Sequence, residues 1–367
     1  MNKKKKVLFI RGSKAASGYY RIIQPCFALQ EKGYITDVVD YNNVDPVNLV
    51  CKKVDPKTKK ESIYDITKSD IVIFQLVVYQ ALIKVIRKLK EKGIKTVMEC
   101  DDAYPYLPAN NPAWRSMHPK TLLMKDKDGN PVFNVFKERV NNSLRNMYEA
   151  MKEVDMLQVS TPELKELYLP KNKNIIVLEN CIDVGLYKNI NKPKNKKPVI
   201  IWSGTKTHID DLYILNGCVP HNCKLIIGGF TEAKDKGLFK DHPDVEFLDG
   251  VSFLDYPEKM VALGDIVAIP LVDNKFNAGK SDLKGLEHAV MGIPAVASDV
   301  APYRRWVQSE QNGFLVKKNK TKFWIRYLTE LVNNKDLREA MGRVAEARAM
   351  DRDIRKNIWR WEEIYFN

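Results

Sequence analysis

Short apolar runs alternate with amphipathic stretches along almost the whole chain of 367 residues. The apolar runs fit buried strands, and the stretches between them fit helices with one apolar face. An alternation of strand and helix predicts a parallel β-sheet with helices on both of its faces. The expected fold class is therefore α/β.

The alternation falls into two series. In the first series we predict strands at Val7–Ile10, Ile35–Val39, Ile71–Phe74, Thr96–Glu99, Met156–Val159 and Ile175–Leu178, and helices at Tyr19–Lys32, Tyr79–Lys92 and Phe133–Val154. In the second we predict strands at Val199–Trp202, Lys224–Ile227, Val245–Leu248, Ile266–Pro270 and Ala295–Ala297, and helices at His208–Leu215, Phe253–Leu263, Lys280–Met291 and Phe323–Val332. Two doubly wound, Rossmann-like domains facing a ligand cleft are expected.

A polar segment rich in Lys, Asn and Pro separates the two series at Lys188–Lys197. This gives an N-terminal domain over residues 1–187, a linker over 188–197 and a C-terminal domain over 198–350. The aromatic-rich end of the chain, residues 351–367, is predicted to be helical and to pack back onto the N-terminal domain. The proline-containing stretch Tyr104–Asp128 lacks periodicity, which predicts a long loop over a site.

The composition excludes disordered and fibrous chains, since hydrophobic residues make up 44% and charged residues 29%. Lys and Arg number 60 against 46 Asp and Glu, so the formal charge is +14. A basic surface fits a nucleotide, a polyanion or an anionic membrane as partner. Lysine runs occur at Lys3–Lys6, Lys52–Lys60, Lys188–Lys197 and Lys317–Lys322. A solvated surface explains them equally well.

No apolar stretch has the length of a membrane-spanning helix or of a signal-peptide core; the longest, Ile71–Tyr79, contains Gln75. Six scattered cysteines without a secretion signal predict reduced thiols and a cytoplasmic location. Cys218 and Cys223 flank His221, but no second ligand pair follows, so we predict a loop there and no metal site.

Ligands of open parallel sheets bind at the carboxyl ends of the strands. The first strand is followed by Arg11-Gly12-Ser13-Lys14-Ala15-Ala16-Ser17-Gly18-Tyr19-Tyr20-Arg21. A flexible loop before a helix can present backbone N–H groups to an anion. The dinucleotide-binding glycine spacing is absent, and an ordinary tight turn explains the loop equally well.

A second strand end carries three carboxylates, Glu99, Asp101 and Asp102. A solvated turn tolerates such a cluster. At a strand end facing a cleft the same residues suit a general base, a metal site or the recognition of hydroxyl groups. We therefore predict Asp101 and Asp102 to be catalytic, and the cluster leaves Mg²⁺ or Mn²⁺ open.

In the second series, the strand Val199–Trp202 leads into a loop in which Gly204 permits a close approach and Thr205 and Lys206 can bind phosphate oxygens. His208, at the start of the next helix, is a catalytic candidate. A surface histidine in a first helical turn is the alternative for it.

The most informative segment is Phe276-Asn277-Ala278-Gly279-Lys280-Ser281-Asp282-Leu283-Lys284-Gly285-Leu286-Glu287. We predict that Gly279 opens a helix on which Lys280, Lys284 and Glu287 share one face. Lys280 and Glu287 would lie ~10 Å apart, about the reach from a pyrophosphate to a ribose. A P-loop would need glycine at position 274, where Asn274 stands.

Taken together, these motifs resemble the GT-B nucleotide-sugar glycosyltransferases of the group-one, glycogen synthase-like type. The resemblance covers nearly the whole chain. It is carried by the loop ending Gly18-Tyr19-Tyr20-Arg21, the strand Asp70–Gln75, the Glu-x-Asp-Asp at 99–102, Val159-Ser160-Thr161-Pro162-Glu163-Leu164, Leu178-Glu179-Asn180-Cys181-Ile182-Asp183, Trp202-Ser203-Gly204-Thr205-x-Thr207-His208, and Lys280-Ser281-Asp282-Leu283-Lys284-x-Leu286-Glu287.

The resemblance implies a nucleotide-diphosphate sugar, foremost a UDP-sugar, as donor substrate and requires no further cofactor, since basic side chains and a helix N-terminus can stabilise a departing diphosphate. The implied nucleotide and phosphate contacts are Gly204, Thr205, Lys206, Gly250, Val251, Gly279, Lys280, Ser281 and Glu287, with Glu287 on the ribose. The donor sugar would meet Phe276, Asn277 and Ala278. The acceptor side would use Gly12, Ser17, Gly18, Tyr19, Arg21, Gln75 and Glu99.

One position departs from the family pattern, which has two glutamates eight positions apart. The first would fall at 279, where Gly279 stands. This leaves both the sugar and the stereochemical outcome open.

The leading acceptor is a glycan or a lipid-linked glycan, with peripheral contact to an anionic membrane left open. Bacteriophage enzymes that glycosylate hydroxymethylated DNA bases share the GT-B fold, so a DNA acceptor and a phage origin are the alternative. A sugar-nucleotide epimerase and a non-catalytic basic nucleic-acid-binding module are further alternatives.

Overall fold

The computed structural model describes residues 5–54, 58, 60–109, 111, 113–117, 123–125, 131–133 and 143–366. The chain divides into two units. Unit 1 comprises Met1–Glu179 and Asn357–Asn367, and unit 2 comprises Asn180–Lys356. The predicted domain and linker bounds stay a prediction.

Unit 1 is built on a six-stranded parallel sheet. The strands of the unit are β1 (Lys6–Arg11), β2 (Ile35–Asp40), β3 (Val44–Asp45), β4 (Val50–Val54), β5 (Glu61–Asp65), β6 (Ile71–Gln75), β7 (Lys95–Cys100), β8 (Leu123–Lys125), β9 (Pro131–Phe133), β10 (Met156–Val159) and β11 (Ile175–Val177). The large sheet has the order β11-β10-β7-β6-β1-β2. Its central strands are fully buried, as in β6, because helices cover both faces of a parallel sheet.

The helices of unit 1 lie between these strands. They are α1 (Ala16–Gly18), α2 (Gln24–Glu31), α3 (Gln80–Glu91), α4 (Trp114–Met117), α5 (Ser143–Glu153) and α6 (Pro162–Tyr168). A π-helical turn over Tyr19–Ile23 joins α1 to α2. The sequence predicts one regular helix over Tyr19–Lys32, so the π turn corrects that prediction.

Two antiparallel sheets of unit 1 are not predicted from the sequence. Strands β3, β4 and β5 form one of them, and β8 pairs with β9 in the other. The long loop predicted over Tyr104–Asp128 therefore contains α4 and β8. The predicted helix Phe133–Val154 is described only at its ends, since residues 134–142 lie outside the described part of the chain; residue 133 belongs to β9, and α5 forms the second half.

Unit 2 repeats the architecture with a second six-stranded parallel sheet. Its strands are β12 (Val199–Ser203), β13 (Lys224–Gly228), β14 (Val245–Leu248), β15 (Ile266–Ile269), β16 (Ala295–Ser298) and β17 (Gly313–Val316). The order β14-β13-β12-β15-β16-β17 is that of a doubly wound sheet, 3-2-1-4-5-6. The two parallel sheets confirm the predicted fold class.

The helices of unit 2 are α7 (Ile209–Tyr213), α8 (Tyr256–Lys259), α9 (Lys275–Ala278), α10 (Leu283–Ala289), α11 (Ala301–Trp306), α12 (Thr321–Asn333), α13 (Lys335–Met350) and α14 (Ile354–Asn357). The predicted helix Phe253–Leu263 is broken into α8 and a 3₁₀ turn, Val261–Leu263. The predicted helix Lys280–Met291 begins three residues late, at Leu283, because the backbone turns between α9 and α10 with Asp282 as the N-cap.

The chain ends in α15 (Trp359–Phe366), which belongs to unit 1. Tyr365 lies 1% exposed and donates a hydrogen bond of 2.6 Å from its hydroxyl to Oε1 of Gln158. Lys95 Nζ donates to the carbonyl oxygen of Ile364 at 2.8 Å. These contacts fix the last helix on the sheet of unit 1. Within the described residues, no helix is both long and apolar enough to cross a lipid bilayer.

Each sheet has one point at which the strand order reverses direction. In unit 1 the reversal lies between β1 and β6, and in unit 2 it lies between β12 and β15. The loops leaving adjacent strands there run to opposite faces, which opens a crevice at the carboxyl edge of the sheet. We therefore expect functional side chains at these two edges.

Candidate functional site

The carboxyl edge of unit 2 is lined by glycine turns. Gly204 follows β12, and its N–H donates to the carbonyl oxygen of Gly228 at 3.0 Å. A Cβ atom on Gly204 would lie 2.8 Å from the ring of Trp202, which is too close for any side chain. Gly229 has φ +84°, and a Cβ there would lie 2.5 Å from the Gly204 carbonyl oxygen. The two turns thus pack backbone on backbone at this edge, which requires glycine at both positions.

A buried lysine of α10 reaches the same edge. Lys284 Nζ donates a hydrogen bond to the carbonyl oxygen of Ser203, and it lies 5.2 Å from the centre of the Trp202 ring. Burial lowers the pKa of Lys284 to about 8, although Glu287 and Asp211 oppose that shift. The side chain therefore still carries a positive charge at neutral pH.

Asp211, on α7, organises the loops of this edge. One carboxylate oxygen accepts hydrogen bonds from the Val272 N–H at 2.7 Å and from the Asn277 side chain at 3.2 Å. The other lies 2.8 Å from Nδ1 of His208. Burial lowers the pKa of His208, with Lys284 and Lys280 adding to the shift and Asp211 opposing it. The imidazole is therefore neutral at pH 7, with Nδ1 directed at Asp211.

Glu287 is 7% exposed and lies beside Tyr256. The Tyr256 hydroxyl is 2.6 Å from Oγ of Ser203 at the end of β12. Burial raises the pKa of Tyr256 well above its usual range, with the charge of Glu287 as the next contribution. A carboxylate is thus held at the edge on the helix that also carries Lys284.

Lys280 lies in the turn between α9 and α10, outside the helix on which the sequence predicts it. Its Nζ is 4.5 Å from the centre of the Phe276 ring. It acts on the pKa values of His208 and Lys284, so these three groups lie within electrostatic reach of one another. Two lysines and a neutral histidine therefore form one positively charged group in unit 2.

The remaining donor candidates are less closely grouped. Thr205 and Lys206 are exposed, and Gly250 and Val251 follow β14. Phe276 and Asn277 are each 5% exposed, and the amide of Asn277 is occupied by Asp211 and the Val272 carbonyl oxygen. Ala278 and Gly279 end α9, and Oγ of Ser281 accepts a hydrogen bond from Asn180 at 2.8 Å. Asn277 and Ser281 thus shape the loop with their side chains.

At the carboxyl edge of unit 1, the loop after β1 is bound to the end of β6. Oε1 of Gln75 accepts hydrogen bonds from the N–H groups of Gly12 at 3.1 Å and Ser13 at 3.0 Å. A Cβ on Gly12 would lie 2.4 Å from the Gln75 carbonyl oxygen, and one on Gly18 would lie 1.8 Å from the Ser13 carbonyl oxygen. Gln75 therefore holds the loop that leads to Ser17 and Tyr19.

Arg21 and Glu99 were both expected to face the acceptor, and both are buried, at 2% and 0% exposure. Arg21 Nε and Nη2 donate to the two Glu99 oxygens at 2.7 and 2.8 Å, and Gln158 donates to Glu99 at 2.6 Å. Arg21 also donates to the carbonyl oxygen of Leu178 at 2.6 Å. Because these groups are turned away from solvent, we assign Arg21 and Glu99 a positioning role.

Asp101 and Asp102 follow β7 and remain partly accessible. Burial raises the pKa of Asp101 from 3.8 to about 7; the charges of Asp102 and Glu99 add to the shift, and Arg21 opposes it. Tyr104 donates to Oδ1 of Asp101 at 3.4 Å, and the hydroxyl of Tyr168 donates to the Asp102 carbonyl oxygen at 2.6 Å. A carboxylate with this pKa suits proton transfer near neutral pH. No group of three or more His, Cys, Asp or Glu side chains that could hold a metal ion occurs among the described residues.

Three residues of these edges were not assigned a role from the sequence: Lys284, Asp211 and Tyr256. The spacing of Lys284 from Lys280 and Glu287 indicates a shared face, and this signal could have assigned it. The hydrogen bonds of Asp211 to Val272 and Asn277 span more than sixty residues and leave no local pattern.

The chain is similar to known proteins in sequence and in fold. Residues 204–334 match the family model described as glycosyl transferases group 1. An uncharacterized glycosyltransferase from Haemophilus influenzae is 24% identical over 98% of this chain and 99% of its own. Sucrose-phosphate synthase from Thermosynechococcus elongatus has a TM-score of 0.66 at 13% identity, covering 99% of this chain and 98% of its own. HepE from Anabaena, in complex with UDP and glucose, has a TM-score of 0.63 at 13% identity, covering 99% of this chain and 100% of its own.

These similarities confirm the predicted resemblance to group-one glycosyltransferases and the predicted GT-B fold. The phage origin stays a prediction.

Proposed function

We propose that this chain, which is a glycosyltransferase with the GT-B fold, moves a sugar from a UDP-sugar to a hydroxyl group of a glycan. The observation that carries the proposal is the positively charged group of Lys280, Lys284 and neutral His208 at the strand-order reversal of unit 2. Structures of the related fold in HepE contain UDP and UDP-glucose, which supports a uridine nucleotide as donor.

The diphosphate is the most highly charged part of such a donor. Lys280 and Lys284 supply two positive charges at one edge. A diphosphate that leaves from the sugar gains negative charge, so fixed cations stabilise it more in the transition state than in the ground state. Glu287, held beside Tyr256, is the acceptor for the ribose hydroxyls.

We propose that His208 touches the donor sugar. Its Nδ1 donates to Asp211 at 2.8 Å, so Nε2 of the neutral ring is free to accept a hydrogen bond from a hydroxyl group of the donor sugar. Asp211 is itself fixed by Val272 and Asn277, which limits the rotation of the imidazole.

On the acceptor side, Asp101 takes the proton. The acceptor oxygen forms a bond to the anomeric carbon, the bond from that carbon to the diphosphate breaks, and the hydroxyl proton passes to the Asp101 carboxylate. UDP carries away the electron pair of the broken bond. The pKa of about 7 keeps Asp101 available in both protonation states near neutral pH.

The donor half is tested by calorimetric titration of UDP. Lys280→Ala removes a charge-assisted contact worth about 1.5–3 kcal/mol, so the dissociation constant should rise roughly 10- to 150-fold. Lys335→Ala is the matched control, because the side chain of that lysine is 74% exposed on α13 and forms a salt bridge with Glu339 at 3.6 Å. Equal UDP affinities of the wild type and Lys280→Ala would contradict the proposal.

Two further proposals concern the acceptor and the cellular location. Transfer of radiolabelled sugar to glycans, to DNA with hydroxymethylated bases and to anionic vesicles carrying glycolipid separates the leading acceptor from the alternatives. An epimerase would release free sugar without any acceptor, and a binding module would transfer no sugar.

We propose a cytoplasmic location, which is supported by six cysteines that are all buried and form no disulfide.

A further inference from the structure

Two tyrosines form a stacked pair at the carboxyl edge of unit 1. The ring centres of Tyr41 and Tyr79 are 5.6 Å apart, and their planes differ by 25°. Tyr79 is 51% exposed, although the burial of a ring of this size would stabilise the folded chain. One face of Tyr79 is therefore backed by Tyr41, and much of the remaining ring surface meets solvent.

The pair stands at the strand-order reversal of the sheet. Tyr41 begins the turn that follows β2, and Tyr79 directly precedes α3 after β6. In the sheet, β1 lies between β2 and β6, so the tyrosines flank the loop that begins at Gly12. Asp101 follows β7, the neighbour of β6, and adjacent strands are ~4.8 Å apart. Tyr79 and Asp101 thus follow adjacent strands at one edge of the sheet.

The segment that carries Tyr79 is held on both sides. Leu76 adopts a left-handed conformation, φ 48°, and its N–H donates to the Glu99 carbonyl oxygen at 2.9 Å. The carbonyl oxygen of Val78 accepts a hydrogen bond from Asn146 at 2.9 Å, and Gln80 donates to Asn146 at 2.8 Å. A strained backbone kept by such contacts is a feature of ligand sites. The ring of Tyr79 is therefore presented on a preorganised backbone.

The charges at this edge select the kind of ligand. Arg11 lies 2.6 Å and Lys14 3.8 Å from the carboxylate of Asp40, so these three side chains together carry one positive charge. Asp101 and Asp102 add negative charge on the neighbouring strand. A nucleic-acid backbone needs an excess of cations, which this edge does not present among its described residues. A saccharide has apolar C–H faces that pack on an aromatic ring and hydroxyl groups that donate to carboxylates.

We infer that Tyr79, backed by Tyr41, is the stacking platform for the acceptor, and that the acceptor is an uncharged saccharide. The inference rests on the proposed function for the reaction itself, but the platform can be tested by binding alone. The hydroxyl that reacts would then lie on the side of the sugar nearer Asp101.

The experiment measures saccharide binding to the full chain by saturation-transfer NMR. The probes are neutral di- and trisaccharides of gluco, galacto and manno configuration, with single-stranded oligothymidylate as the rival. We expect at least one saccharide to bind the wild type. Tyr79→Ala should weaken it about tenfold, whereas Tyr79→Phe, which keeps the ring, should stay close to the wild type.

Phe27→Ala is the matched control, since Phe27 is an aromatic residue of unit 1 that is 54% exposed on α2. It should leave saccharide binding unchanged. UDP titration separates the two proposals: a wild type that binds a saccharide but no UDP would count against the donor site and not against the platform, and Tyr79→Ala should keep the UDP affinity of the wild type. Saccharide binding that survives Tyr79→Ala, or binding of the oligothymidylate with no saccharide, overturns the inference.

Discussion

Removing either partner of the buried pair Arg21–Glu99 should destabilise unit 1 strongly. Arg21→Met leaves a carboxylate without its cation at 0% exposure, and Glu99→Leu leaves a guanidinium without its anion at 2% exposure. An uncompensated charge in the interior loses its hydration without gaining a partner. Replacing both residues removes both charges, so the double variant should recover much of the loss.

The size of the effect follows from the contacts. Arg21 donates to both Glu99 oxygens at 2.7 and 2.8 Å and to the Leu178 carbonyl oxygen at 2.6 Å, and Gln158 adds a fourth hydrogen bond at 2.6 Å. Breaking such a pair costs about 3–5 kcal/mol. In a unit of this size each kcal/mol lowers the melting temperature by about 2–4 °C, so a single variant should melt roughly 6–20 °C lower.

Urea unfolding and differential scanning calorimetry of the wild type, both single variants and the double variant give the coupling free energy. Arg87→Met is the control, because Arg87 pairs with Glu149 at 2.7 Å and with Glu153 at 2.8 Å but is 44% exposed. Each of these surface pairs should contribute less than about 1 kcal/mol. If Arg21→Met were no more destabilising than Arg87→Met, or if the coupling were near zero, the buried pair would not act as argued.

Two further predictions concern ligand binding and proton transfer. Glu287→Gln should weaken UDP binding and nearly keep the thermal stability of the wild type. In calorimetry the wild type should bind UDP more tightly than its 2′-deoxy analogue. If neither change alters the UDP affinity, Glu287 does not contact the ribose. Since the pKa of Asp101 is about 7, turnover should rise as the pH passes through 7, and Asp101→Asn should abolish that rise with UDP affinity unchanged. The raised pKa also means that the folded chain binds a proton more tightly than the unfolded chain, so this group lowers stability as the pH rises from about 4 to 7. Asp101→Asn should therefore be more stable than the wild type at pH 8 and similar at pH 4; a pH-independent difference would contradict the raised pKa.

The sequence predicts the strands of both sheets well, because each buried strand is a short apolar run. Met156–Val159 and Val245–Leu248 are predicted at their observed bounds, and other predicted strands differ by a residue or two. The strand Gly313–Val316 and the antiparallel sheet β3–β5 are missed. The latter is rich in lysine and polar residues, so its strands lack the apolar run that marks a buried strand.

Site geometry is harder to predict, because it depends on contacts between residues far apart in the chain. Local spacing in the sequence indicates the motif around Lys280 and Glu287, whose role stays a prediction. It does not indicate the contact of Arg21 with Glu99, which lies 78 residues away in the chain. Arg21 contacts Glu99 from the π turn over Tyr19–Ile23. Helical periodicity in the sequence does not predict a π turn.

Glu99 connects the stability of unit 1 to the chemistry proposed for Asp101. Its carboxylate accepts hydrogen bonds from Arg21 and Gln158, and Gln158 in turn accepts one from Tyr365 of the last helix. A buried site with this many donors requires a carboxylate, because a neutral amide would direct its own N–H groups at them. The same negative charge raises the pKa of Asp101, and Arg21 lowers it. Arg21→Met should therefore move the pH midpoint of turnover upward while it destabilises the fold, so the two effects can be read from one variant.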